Sequence, residues 1–223
     1  MATLTVYPSP GTTLSGMTSY TSTGQDLATA RTGNGTQNDD TSAAVTAIGY
    51  AGDNDTDFYN QNWRFHTLFD TSALTSGATV SAGVISYYVT AKVDQLGGTN
   101  GLAVCISNPA SDSVLENSDH QTITKTRQMT SDIDFGSIST AAYQDCTLNA
   151  TGISNISLTA ITKFCATSSF DIDVTPTWGI GEESVLAMST ANETGTSQDP
   201  KLVVTYTGGA TILPFRALLG VGI

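Results

Sequence analysis

TSQDPKLVVTYT, residues 196–207, decides the fold class. A polar turn over 196–200 leads into an alternating run over 201–207. Leu202, Val204 and Tyr206 point one way, and Val203, Thr205 and Thr207 the other. Alternation of period two after a turn describes a half-buried β-strand, here the closing strand of a β-sandwich. The same reading recurs toward the N-terminus. Residues 3–7, 43–50, 63–70, 80–90, 102–107, 161–166, 170–174 and 185–190 each form an apolar or β-branched run between turn residues, with a break expected at Pro176. Within 63–70, Trp63, Phe65, Thr67 and Phe69 share the face expected to be core, and Arg64, His66 and Leu68 share the other. Residues 80–90 are apolar on both faces and are expected to be central in their sheet. A helical turn is expected at 150–156, an edge strand within 121–129, and loop over the remainder of 112–142.

These runs predict an all-β chain, a jelly-roll-like antiparallel β-sandwich with long polar loops and an apolar C-terminal tail. The chain has 223 residues, enough for one large domain with its own core. The expected organisation is an N-terminal strand and extended loop or arm over 1–42, a sandwich over 43–207 and a tail over 208–223. Residues 11–42 are rich in Gly, Thr, Ser and Asn, which is why they read as loops rather than a packed unit.

Four stretches carry a family resemblance: RFHTLFDTSAL (64–74), ATVSAGVISYYVT (78–90), TKFCATSSFDID (162–173) and DPKLVVTYT (199–207). Together they resemble the DNRLRE-type β-sandwich family, a carbohydrate-binding-module-like jelly roll found in bacterial surface proteins and structural proteins of tailed phages. The resemblance spans residues 62–207 outside the polar stretch 112–145. It implies a structural or adhesive module. The family's naming motif is not present in literal form, so no functional residue is carried over.

Twenty Asp and Glu against eight Lys and Arg give a net charge of −12. Phosphate backbones are bound by clustered Lys and Arg, so this chain reads as no nucleic-acid binder. No run reaches the length of about 20 apolar residues that spans a bilayer, and no membrane partner is expected. The N-terminus MATLTVYPSPGTTLSG lacks the basic and apolar regions of a secretory signal. Cys105, Cys146 and Cys165 cannot all pair within one chain; Cys105 and Cys165 read as small buried strand residues, with Cys146 near enough in expectation to approach Cys165.

Candidate chemistry is sparse. His66 and His120 stand in different contexts with no nucleophile or zinc motif beside them. His66 reads as a strand residue facing polar neighbours and His120 as a loop residue. The acidic pairs Glu182 with Glu183 and Asp171 with Asp173 are ordinary for so acidic a chain, and no catalytic residue is expected. In GDNDTD, Asp53, Asp55 and Asp57 have the alternating spacing that can wrap Ca2+ in oxygen ligands, but the Gly and distal Glu of a complete EF-hand loop are missing. A plain Asp-rich turn is the preferred reading, and no cofactor is expected. Tyr50 and Tyr59 beside that turn are the candidate stacking platform for a sugar ring.

The tail GGATILPFRALLGVGI puts Ile212, Leu213, Phe215, Leu218 and Leu219 after two glycines, with Arg216 as its one charge. It either folds back on the sandwich or docks on a neighbour, since a free apolar end is an aggregation hazard. The resulting expectation is a non-enzymatic structural protein located in a virion, a capsid decoration protein or a tail or fibre component of a bacteriophage. Its partners would be protein subunits of that capsid or tail, and it would itself be a homo-oligomer, a trimer by analogy. The alternative is a carbohydrate-binding or adhesive module at the cell surface.

Overall fold

A computed structural model describes residues 1–53, 58–96, 100–173 and 179–208, apart from the side chain of Leu27. The chain is all-β, with twelve strands among these residues in one antiparallel, curled sheet. In chain order they are β1 (Ala2–Val6), β2 (Ser15–Gln25), β3 (Gln37–Asp39), β4 (Ala44–Gly52), β5 (Tyr59–Asp70), β6 (Ala78–Asp94), β7 (Gly101–Ile106), β8 (Ile133–Asp134), β9 (Ala142–Thr147), β10 (Ile161–Ser168), β11 (Glu183–Ser189) and β12 (Lys201–Gly208). Three short α-helices among the described residues interrupt them: α1 (Leu27–Thr32), α2 (Ala150–Ser154) and α3 (Ser169–Asp173). The main path runs β1-β12-β6-β11-β4-β5-β10-β7-β8; β2 lies against β5, β3 against β2, and β9 against β6.

Two long strands produce the curl. One edge of β5 pairs with β4 through Tyr59–Trp63 and with β10 through Phe65–Asp70, while its other edge is covered by β2. Likewise β6 pairs with β12 over its first half and β11 over its second, with β9 on the opposite edge. The sheet therefore folds over, and side chains from β7 and β10 share one core with side chains from β6, β11 and β12. Leu202 and Val204 enter that core and Tyr206 packs against it, as the alternation in 201–207 requires. Each large apolar side chain fully withdrawn from water there contributes about 1.5–3 kcal/mol. Gly49, with φ of 134°, allows β4 to lie against β11; a Cβ there would sit 2.1 Å from the Ser184 carbonyl oxygen.

The structure departs from expectation in four places. Residues 11–42 are not an arm: β2 and β3 extend the sheet at the edge of β5 through the β2–β5 and β2–β3 ladders, with Ser15, Thr18 and Ser19 buried, and α1 packs against β5, where Asn62 Nδ2 donates to the Ala30 carbonyl at 3.3 Å. Residues 170–173 form no strand but lie in α3, where Ser168 Oγ accepts from the Phe170 N–H at 3.2 Å and the turn swings Asp171 inward. Residues 121–129 are not an edge strand; they touch the sheet through single bridges at Thr124 and Met129. Strand β9 forms within sequence too polar to have marked it, pairing with β6 from Val84 to Val89. The break expected at Pro176 lies outside the described residues.

Candidate functional site

The residues singled out from sequence fall into three groups. Asp55, Asp57 and the tail residues Ile212, Leu213, Phe215, Leu218 and Leu219 lie outside the described residues. Asp53 is buried and its carboxylate accepts from the Gly24 N–H, which ties the 53 turn to the end of β2. Tyr50 and Tyr59 correct the expectation of a sugar platform. They are 0% and 4% exposed, stack edge to face at 5.8 Å, and pack with Ala30, Leu96 and Phe170 in a small core of their own. A ring enclosed on both faces offers nothing to a glycan.

The cysteines are also rearranged. Cys165 on β10 stands opposite Cys105 on β7, while Cys146 lies in the main core beside Ile85; all three are free and buried. Burial raises the pKa of Cys165 and of Cys146, so both are poor nucleophiles.

Residues that sequence reading treated separately converge on the second face of β5. Arg64 sits in mid-strand with its side chain fully buried, and a cation there requires a counter-charge. Helix α3 supplies it. Arg64 Nε donates to Asp171 Oδ2 at 2.7 Å and Nη2 donates to Oδ1 at 3.0 Å, a two-pronged ion pair. Tyr50 Oη donates to Oδ1 at 3.1 Å and Thr167 Oγ1 to Oδ2 at 3.0 Å. Lys125 Nζ reaches Oδ1 at 3.0 Å, and Arg31 in α1 donates through Nε and Nη2 to the Asp171 carbonyl at 2.9 and 2.6 Å. The remaining Arg64 bonds go to backbone: Nη2 to the Arg31 carbonyl at 2.8 Å and Nη1 to the His120 carbonyl.

Both histidines join this layer through one hydroxyl. Thr18 Oγ1 lies 3.0 Å from His66 Nε2 and 3.1 Å from His120 Nδ1, and His66 Nδ1 lies 2.8 Å from Ser107 Oγ. His120 is therefore no open loop residue; it is buried in the turn 117–121, which is closed by reciprocal bonds between Glu116 and Asp119. Burial and the nearby Arg64 hold His66 neutral with a pKa of about 3, and burial lowers His120 in the same direction. For Asp171 burial opposes ionisation, but Arg64 and then Lys125 more than offset it, so its carboxyl stays well below the usual range. Burial lowers the pKa of Lys125; Asp171 opposes that, and Arg64 and Arg31 add to it. Asp173, the other member of the acidic pair, faces away and binds Arg127. Glu182 and Glu183 lie at the start of β11, Glu182 exposed and Glu183 half-buried.

A second feature lies across the molecule. A largely apolar groove of about 340 Å3 is lined by Ala78 and Val80 of β6, Ala150, Ile153 and Ser154 of α2, and Ile156 and Leu158 beyond it. It is continuous with the main core, against which Val80, Ile153 and Leu158 pack. Ala78 and Val80 pair with Gly208 and Tyr206 at the end of β12, so the groove lies where the chain passes into the tail sequence.

The Arg64–Asp171 pairing is not legible in the sequence, although the sequence carries one signal of it. An arginine in the interior of an apolar strand, in a chain with eight cations, has to be neutralised by something. Neither a known family nor a curated protein matches this chain.

Proposed function

We propose that the protein is a non-enzymatic structural subunit of a virion, a capsid decoration protein or a related tail or fibre component of a phage. Its subunits would be linked by apolar tails. The observation that carries this reading is the groove between β6 and α2, placed beside Gly208 and Tyr206 at the start of the tail sequence. The occupant is the tail of a neighbouring copy, whose Ile212, Leu213, Phe215, Leu218 and Leu219 match the groove in chemistry. A tail of one subunit in the groove of the next is a head-to-tail contact, of the kind that gives a ring such as a trimer when the rotation between subunits closes. The resemblance to the DNRLRE-type jelly rolls of phage structural proteins supports the same reading. So does the all-β scaffold, in which the outer edge of β1 pairs with no strand among the described residues. The glycan-binding alternative loses its aromatic platform, because Tyr50 and Tyr59 are core residues.

The test is sedimentation of particles from a lysate of the cells that produce the protein. The chain is expected to band with the particles, and the variant Leu218→Asp with Leu219→Asp to be released from them. Finding the unaltered chain only as a soluble monomer, never with particles, would overturn the proposal.

A further inference from the structure

The Asp171 cluster holds more positive charge than it uses. Arg31, Arg64 and Lys125 are three of the eight Lys and Arg residues, and they share one carboxylate. Three cations against one anion leave two positive charges in a chain whose net charge is −12. The acceptors of Asp171 are already taken, since its two oxygens receive Arg64 twice, Tyr50, Thr167 and Lys125. The donors are not. Arg31 bonds through Nε and Nη2 while its Nη1 has no partner among the described residues, and Lys125 Nζ has two bonds for three protons. A cavity of about 170 Å3 opens onto these groups, lined by Arg31, Thr32, Arg64, Gln121 and Lys125. The side chains of Arg31 and Lys125 remain 15% and 23% exposed, so the cations are reached from solvent.

We propose that this pocket between α1 and the 117–125 segment binds a compact oxyanion, a carboxylate or phosphate group, through Arg31 Nη1 and Lys125 Nζ. Arg64 and Asp171 form the rigid floor that aims both donors. Charge-assisted bonds to planar or tetrahedral oxyanions are the strongest use for guanidinium and ammonium groups left without an acceptor. A cavity of this volume has room for a single anionic group. This site shares no lining residue with the groove between β6 and α2.

Inorganic phosphate is the probe, titrated into the full chain against sodium chloride at equal ionic strength, with a Debye length of about 8 Å screening the chain's overall negative charge. At tenfold excess over its Kd, phosphate is expected to raise the melting midpoint by about 3–6 °C. Lys125→Gln is expected to weaken phosphate binding about tenfold, the value of one charge-assisted bond. Gln121→Glu adds a negative charge at the rim without touching Asp171 and gives up the bond from Gln121 Nε2 to Asn34 Oδ1; it is expected to weaken phosphate binding, read as a smaller phosphate-induced shift relative to this variant's own phosphate-free midpoint. This second variant keeps the test decisive if Lys125→Gln fails to fold. Acetate in place of phosphate separates a tetrahedral preference from a general oxyanion site, and binding of either supports the proposal. A midpoint that responds to phosphate and acetate no more than to chloride would overturn it, as would a phosphate response that is the same in Gln121→Glu.

Discussion

On one face of β5, Phe65 and Phe69 enter a continuous apolar core; on the other, Arg64 and His66 enter a layer built from Thr18, His120, Lys125 and Asp171. The same strand thus supports two kinds of packing. The apolar side draws on area removed from water, which is non-directional and tolerates exchange of similar volumes. The polar side draws on particular donors meeting particular acceptors in a medium of low dielectric, where a missing partner is expensive.

The comparison is broken most sharply at Asp171. Asp171→Ala leaves three cations clustered without their shared carboxylate and is expected to cost about 3–5 kcal/mol in urea denaturation. Next comes Arg64→Lys, which keeps the charge but loses the two-pronged pairing and the bonds to the Arg31 and His120 carbonyls. We expect a loss of about 2–3 kcal/mol, and an equal stability of this variant and the parent would show that the geometry of the pair is immaterial.

Acid should act selectively on the polar side. His66 is neutral when folded, with a pKa of about 3 against 6.5 for the free side chain, so the unfolded chain binds the extra proton. Its contribution is whole above the unfolded pKa and is lost as pH falls from 6.5 toward 3. With His120 shifted the same way, stability should drop by about 1–3 kcal/mol per pH unit in that window. Urea midpoints measured across it check this, and a flat profile would mean the histidines are not buried neutral. The smallest effect belongs to the apolar side. Ile85→Leu, a swap of equal volume in the main core, should cost less than about 1.5 kcal/mol.

The division also explains what was legible in the sequence. Strands β5, β6, β10, β11 and β12 are written in alternating or continuous apolar residues, and the chain follows them. Strand β2, SGMTSYTSTGQ, carries almost no apolar signal, because its buried positions are Gly16 and the hydrogen-bonded Ser15, Thr18 and Ser19. Its place beside β5 depends on partners distant in sequence: Thr18 meets His120 across 102 positions. Asp171 is similar. FDID alternates like a strand, yet the attraction of Arg64, 107 positions earlier, goes with a helical turn that no local pattern encodes. Tyr50 and Tyr59 depart from the local pattern for the converse reason: an acidic turn beside them suggests solvent, whereas α1 and α3 close over them.

The most direct test of the tail-to-groove linkage uses two singly substituted proteins, Ile153→Cys in the groove and Leu218→Cys in the tail, mixed under mild oxidation. The native cysteines are buried and do not compete. The predicted result is a disulfide joining position 153 of one chain to position 218 of another, identified by peptide mass spectrometry. The contradictory result is no such dimer from the mixture, with the 153–218 bond appearing only within a chain that carries both substitutions.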